Sequence, residues 1–294
     1  MQTIQTIGAA SCIAGNRSGC CGGPMALRRS GLIGILARHH GLQLQWQQVL
    51  QPNPAHSTEV ALARLLRHIR RNIQSCITIK QPFIFMGGDH SCAMGVWGGA
   101  LKAVKQQRNF GLIWVDAHMD SHTFATSSSG NIHGMPIAAL LGKADQRLAA
   151  IYGDCPSLDP SRLVLIGIRS YEPAEERLLK SLGVQVYTME RIKQVGGLSL
   201  LMRLVIRRMS QRCHHYGLSI DLDGIDPNDA PGVGTPVAGG LSGVALCRAL
   251  KGLGADPALV GIEISEFNPG RDQNHRTARL VERLIGSVYG DRWI

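Results

Sequence analysis

Short apolar runs alternate with longer stretches of helical periodicity along this chain, and that alternation constrains the fold more than any other feature. The runs lie at residues 82–86, 110–115, 162–168, 217–220 and 259–264, and are rich in Ile, Val and Leu with no polar face. Strands buried on both sides by helices read in this way. Between them, helices are predicted over 57–75, 94–106, 172–182, 198–212, 243–252 and 277–290. Strand following helix in this order predicts an α/β fold, with one mostly parallel sheet covered on both faces. At 294 residues, one large domain or two ordinary ones would fit. No linker rich in Pro, Ser or charge divides the chain and no internal repeat is evident, so a single domain over 1–294 is expected.

Composition removes several function classes. With 44% hydrophobic and 18% charged residues, the chain is too apolar for a disordered protein, and no apolar run reaches membrane-spanning length. The formal charge of +10 raises nucleic acid as a partner, but the densest basic stretches, 64–71 and 203–212, have apolar residues at helical spacing and read as solvated helix faces. Aromatic residues, at 5%, leave few platforms for stacking bases. Neither nucleic acid nor a membrane is therefore expected as a partner. The first 16 residues carry no Lys or Arg, so no basic region precedes the weak apolar stretch 7–14. An export signal is not expected. The eight cysteines form no CxxC pair and read as reduced thiols in a cytoplasmic protein rather than as a zinc site. The Gly-rich stretch 15–24 lacks both phosphate-cradle patterns and reads as a loop.

Sites in open α/β sheets gather at the carboxyl ends of strands. Three of the runs end in polar residues that are costly to bury. The first continues into GGDHS at 87–91, offering His90. The second continues into DAHMD at 116–120; in extended backbone Asp116, His118 and Asp120 share one side. The third continues into Asp221, Leu222, Asp223, with Asp226 before Pro227 as either a further ligand or a turn residue. Together His90, Asp116, His118, Asp120, Asp221 and Asp223 supply four carboxylates and two imidazoles, a set that repels itself unless cations compensate it. It is too rich in acid for one zinc and suits a pair of divalent ions, Mn²⁺ above all, with others possible. Two such ions can acidify a shared water, so the implied chemistry is metal-hydroxide attack on an electrophilic carbon.

GGDHS, DAHxD and SxDxDxxDP, in this order at 87–91, 116–120 and 219–227, resemble the motifs of the ureohydrolases, the family of arginases, agmatinases and their relatives. The resemblance implies a three-layer α/β/α domain with about eight strands and two Mn²⁺ per chain on the six residues above, Asp116 and Asp221 bridging. It implies hydrolysis of a guanidinium group to urea and a primary amine, with Asp120 also orienting the hydroxide, and a homo-oligomer, trimer or hexamer. The stretches 127–134 and 234–240 are similar to arginase rather than agmatinase, which makes L-arginine the expected substrate and another guanidino compound the alternative. His133 then matches a proton shuttle to the leaving amine, Glu266 the partner of the substrate guanidinium, and Thr235 a hydrogen-bonding position near Glu266. Ser129 matches a contact to the α-carboxylate. His122 stands where arginases carry Asn, and Glu172 where they carry Asp facing the α-amino group.

Overall fold

The structure, a computed structural model, describes residues 2–15, 19–31, 34, 41–104 and 109–290. Eight strands, β1 (Gln2–Ala9), β2 (Leu42–Leu50), β3 (Phe83–Met86), β4 (Phe110–Val115), β5 (Leu163–Ile168), β6 (Gln185–Thr188), β7 (His215–Asp221) and β8 (Leu259–Ser265), form one sheet in the order β2-β1-β3-β8-β7-β4-β5-β6. Every pairing is parallel. All eight carboxyl ends therefore emerge along one edge.

Alternate residues feed two cores. Phe83 and Phe85 join Trp97, Phe110 and Trp114 on one face; Ile84 and Met86 join Ile113, Ile220 and Ile262 on the other. Helices α1 (Gly23–Arg29), α2 (Thr58–Thr78), α3 (Ala93–Ala103), α4 (Pro136–Leu140), α5 (Gln146–Tyr152), α6 (Pro173–Ser181), α7 (Met189–Gln194), α8 (Leu198–Arg212), α9 (Gly243–Ala249) and α10 (Arg276–Tyr289) cover both faces. Leu62, Trp97, Ile137, Leu148 and Leu179 seat α2 to α6 on the first core, whereas Leu27, Ile192, Met202, Leu246 and Leu284 seat α1 and α7 to α10 on the second. Each large side chain so buried contributes about 1.5–3 kcal/mol. The expected three-layer α/β/α sheet is present.

Trp97 packs against β7 because position 217 is glycine: a Cβ there would stand 2.0 Å from the indole ring. Gly88, after β3, is equally constrained, since its Cβ would meet the Ser11 carbonyl oxygen at 1.8 Å.

The five predicted strands are all present, and the six predicted helices match α2, α3, α6, α8, α9 and α10. Helix α3 stops at Ala103, and residues 105–106 of its predicted span lie outside the described residues. The predicted loop 15–24 needs correction: residues 16–18 are not described, Cys20–Gly22 is a 3-10 turn, and Gly23 and Pro24 open α1. Strands β1, β2 and β6 were not anticipated. In β1, Gln5 and Thr6 interrupt the apolar pattern yet are buried; the Gln5 amide is satisfied by the side chains of Gln45, Gln47 and Gln81.

Candidate active site

The polar residues at the ends of β3, β4 and β7 converge, and one local device recurs in all three. Asp89 Oδ1 accepts the backbone N–H of Ser91 at 3.1 Å, Asp116 Oδ1 that of His118 at 2.7 Å, and Asp221 Oδ1 that of Asp223 at 2.8 Å. Each is an aspartate bonding to the backbone two residues on, which turns the chain as it leaves the strand. Extended alternation beyond the strand is thus not what aligns residues 116, 118 and 120. The strand stops at Val115, the chain bends, and Asp120 takes a positive φ of 43°. Glu266, after β8, does the same at φ 65°. Such backbone costs about 1–3 kcal/mol, and here it places two carboxylates inward.

His90 Nδ1 lies 3.2 Å from Asp116 Oδ2, 3.1 Å from Asp120 Oδ2 and 3.0 Å from Asp221 Oδ2. One ring nitrogen carries at most one proton, and this buried atom makes no well-directed hydrogen bond. Three carboxylate oxygens crowded on a single buried nitrogen are a donor set for a cation. His118 Nδ1 stands 3.5 Å from Asp116 Oδ1 and 3.2 Å from Asp223 Oδ2. Two groups able to hold an ion result, His90–Asp116–Asp221 and Asp116–His118–Asp223, with Asp116 common to both. The residues therefore fit a metal centre.

Without cations the electrostatics are tense. Burial and the neighbouring Asp116 push Asp120 up to about 7. Burial, then Asp223 and Asp116, raise Asp221 well above the carboxylate range. Burial alone would lower the two histidines, but facing acids win: His118 is pushed up to about 12, chiefly by Asp223 and Asp116, and His90 is raised by Asp221, Asp116 and Asp120. Asp116, despite burial, is held below its ordinary range by bonds to His118 and His90.

The far side of His90 is anchored. Its Nε2 lies 3.0 Å from Ser219 Oγ, which donates to Glu263 Oε2 at 2.8 Å; Trp97 Nε1 donates to the same oxygen at 2.7 Å. Trp114 stacks on the His90 ring with centroids 4.2 Å apart and donates from Nε1 to Asp116 Oδ2 at 2.9 Å. Of these supports only Ser219 stood in a motif read from the sequence, with no role given to it, although Glu263 carried a signal as an acid inside an apolar strand.

Glu266 sits beside the cage. Its Oε1 accepts the His90 backbone N–H at 3.0 Å and lies 3.3 Å from His133 Nδ1; its Oε2 accepts from Cys20 Sγ at 3.0 Å. Burial would raise Glu266, but His133 keeps it below the usual range; in return Glu266 overcomes the burial of His133 and pushes it up to about 9. The outer cavity, about 220 Å³, is lined by His118, Asp120, His122, His133, Glu172, Glu175 and Thr235 among others. Thr235 donates to Asp223 Oδ2 at 2.7 Å rather than bonding Glu266, because the chain places Gly234, not Thr235, against that carboxylate. Ser129 stays on an exposed loop, its hydroxyl 3.4 Å from Ser127 Oγ, and is not among the cavity's lining residues. His122 Nε2 is 3.3 Å from buried Glu175 and 3.7 Å from Glu172, whose side chain is 54% exposed. Glu175, unanticipated, also accepts the N–H groups of Ser121 and Glu172. Asp226 is a turn anchor, accepting the N–H groups of Asn228, Gly239 and Gly240.

A cage of this kind at the carboxyl edge of an all-parallel sheet is the mark of a metal-dependent α/β hydrolase. Comparison with known proteins narrows the class. The profile of the Arginase family matches residues 2–290. The arginase of Brevibacillus brevis is 37% identical over 299 residues, covering 99% of each chain. The native structure of the Bacillus caldovelox arginase superposes with a TM-score of 0.89 at 34% identity, and that of the Bacillus subtilis arginase with 0.87 at 34%, both over 100% of each chain. The chain belongs to the arginase family, hydrolases acting on the guanidino group. Among the described residues no helix is long and apolar enough to cross a membrane.

Proposed function

We propose that the chain hydrolyses the guanidinium group of L-arginine to urea and L-ornithine, using two Mn²⁺ ions held by His90, Asp116, His118, Asp120, Asp221 and Asp223. The mixed oxygen and nitrogen donors favour Mn²⁺ over softer ions. When bound, the pair of ions supplies a water acidified into the neutral range. The observation that carries the reading is Glu266, a buried carboxylate held ionised beside the cage. A planar guanidinium pairs with such a group through two parallel hydrogen bonds, which sets its carbon toward the ligand cluster. Asp120 orients the attacking water by accepting its hydrogen. His133, kept protonated by Glu266, gives a proton to the side-chain nitrogen of the substrate as the carbon–nitrogen bond breaks. His122, held by Glu175, faces the α-carboxylate together with Ser129, Glu172 faces the α-amino group, and Thr235 lines the cavity beside Asp223.

Urea release from L-arginine, agmatine and 4-guanidinobutyrate tests this reading. Arginine is expected to turn over fastest. Preference for agmatine would overturn the head-group assignment to Ser129 and Glu172 and favour agmatinase or another guanidino-acid hydrolase. A cytoplasmic homo-oligomer of three or six chains belongs to the same proposal, and light scattering on the purified protein checks its size.

A further inference from the structure

Helix α2 carries Arg64, Arg67, His68, Arg70 and Arg71 with Glu59 as its only acid. Read from sequence, this stretch is a solvated face, and Arg64, Arg67, His68 and Arg71 are indeed exposed. Arg70 is not: it is 8% exposed. Its guanidinium lies over the Tyr152 ring, 5.7 Å from the centroid, and donates from Nη2 to the Tyr152 carbonyl. Its Nε has no partner, and no carboxylate pairs with it among the described residues. A buried guanidinium without a counter-charge is costly, and a ring face with one carbonyl compensates it only in part.

The space beside Arg70 is a cavity of about 340 Å³ between α2, α3 and α5, where Arg67, Arg71 and Lys102 converge and Asp154 is the only acid. Asp154 makes no ion pair with them among the described residues. Arg67 and Arg71 also wall an adjoining cavity of about 360 Å³, which has no acid in its lining. Like charges four residues apart on a helix repel, and among the described residues no ion pair offsets them here. The volume matches a small-molecule pocket, and arginine forks suit the oxygens of a phosphoryl group.

We propose that this pocket binds a phosphate-bearing small anion, with Arg70 fixed at its floor and Arg67 and Arg71 closing over the phosphoryl oxygens. The site lies on α2 and is independent of the guanidino chemistry. Calorimetric titration of the metal-loaded full chain, cleared of free metal, with inorganic phosphate, with ATP and with a single-stranded RNA tests it. One-site binding is expected, weakened at least tenfold by Arg67→Ala with Arg71→Ala and unchanged by Arg207→Ala with Arg208→Ala, which removes the same charge from α8. Binding of phosphate without ATP, or tighter binding of ATP, supports the site and identifies the source as inorganic phosphate or a nucleotide. Equal weakening in both double variants would reduce the effect to net charge, and no weakening in the first would place the anion at the metals; either result overturns the proposal, as does absence of binding or tighter binding of single-stranded RNA. Arg70→Met should abolish binding if circular dichroism shows it folded; if it does not fold, the Arg67/Arg71 pair decides.

Discussion

Nδ1 of His133 stands 3.3 Å from Oε1 of Glu266, so the proposed proton donor and the proposed guanidinium partner share one ionic contact. Neither belongs to the ligand cage. His133→Asn is therefore expected to slow urea release by about 10²–10⁴-fold while leaving metal content unchanged. Elemental analysis beside a urea assay checks it, and loss of metal from the variant would remove the assigned role.

Asp120 should behave differently, because its carboxylate faces His90 within the cage. Asp120→Ala is expected to abolish turnover and to lower bound metal from two ions per chain to one. Retention of both ions by equilibrium dialysis would show that Asp120 orients without ligating.

Stripping the metal should expose a pH-dependent weakness. Asp120 at about 7 and His118 at about 12 both have folded values above their ordinary ones. A group with a raised folded pKa stabilises fully below its unfolded value, and that contribution is lost as pH rises through the folded one. For Asp120 the loss runs from about pH 4 to about 7, and for His118 from about 6.5 upward. Chelated protein should thus melt at progressively lower temperature from pH 5 to pH 8, and Mn²⁺ should remove most of that slope by binding the folded state. A flat profile in calorimetry would contradict the unshielded cage.

Glu263 reaches His90 only through Ser219. Partners on the far nitrogen of a ligating histidine fix its ring, and losing them costs about 10–100-fold in metal affinity. Glu263→Gln and Ser219→Ala should each weaken Mn²⁺ binding by that factor, with turnover largely restored at saturating metal. A loss of turnover that added metal does not repair would mean a different role.

Gly217→Ala tests the packing beneath the site. A Cβ at 217 must displace the Trp97 indole, which also holds Glu263. A cost of about 1–3 kcal/mol in stability is expected, measured by chemical denaturation, together with weaker metal binding. An unchanged midpoint would mean that the indole has room to move.

The convergence of these side chains was legible because acids and imidazoles that directly follow apolar strands are too costly to bury together without cations. The supports were less so: the roles of Ser219 and Trp97 show only when their partners are seen, and Glu175 is one of two adjacent acids on α6. The route to convergence was hidden as well, since the strands end at Val115 and Asp221 and bonds from side chain to backbone redirect the chain. Strand β1 was masked by Gln5 and Thr6, two buried polar residues, and the Gln5 amide finds its partners only once Gln45 and Gln47 of β2 and Gln81 lie beside it. Strand β6, four half-buried residues at the edge, has too little pattern to be read.

Strand β8 is last in the chain yet sits between β3 and β7, beneath the centre of the cage. During translation, a nascent chain that ends before residue 259 would hold all six proposed ligands but lack the seam that joins its two half-sheets. Competence for metal should therefore arrive late and all at once, when β8 emerges from the ribosome and slots in.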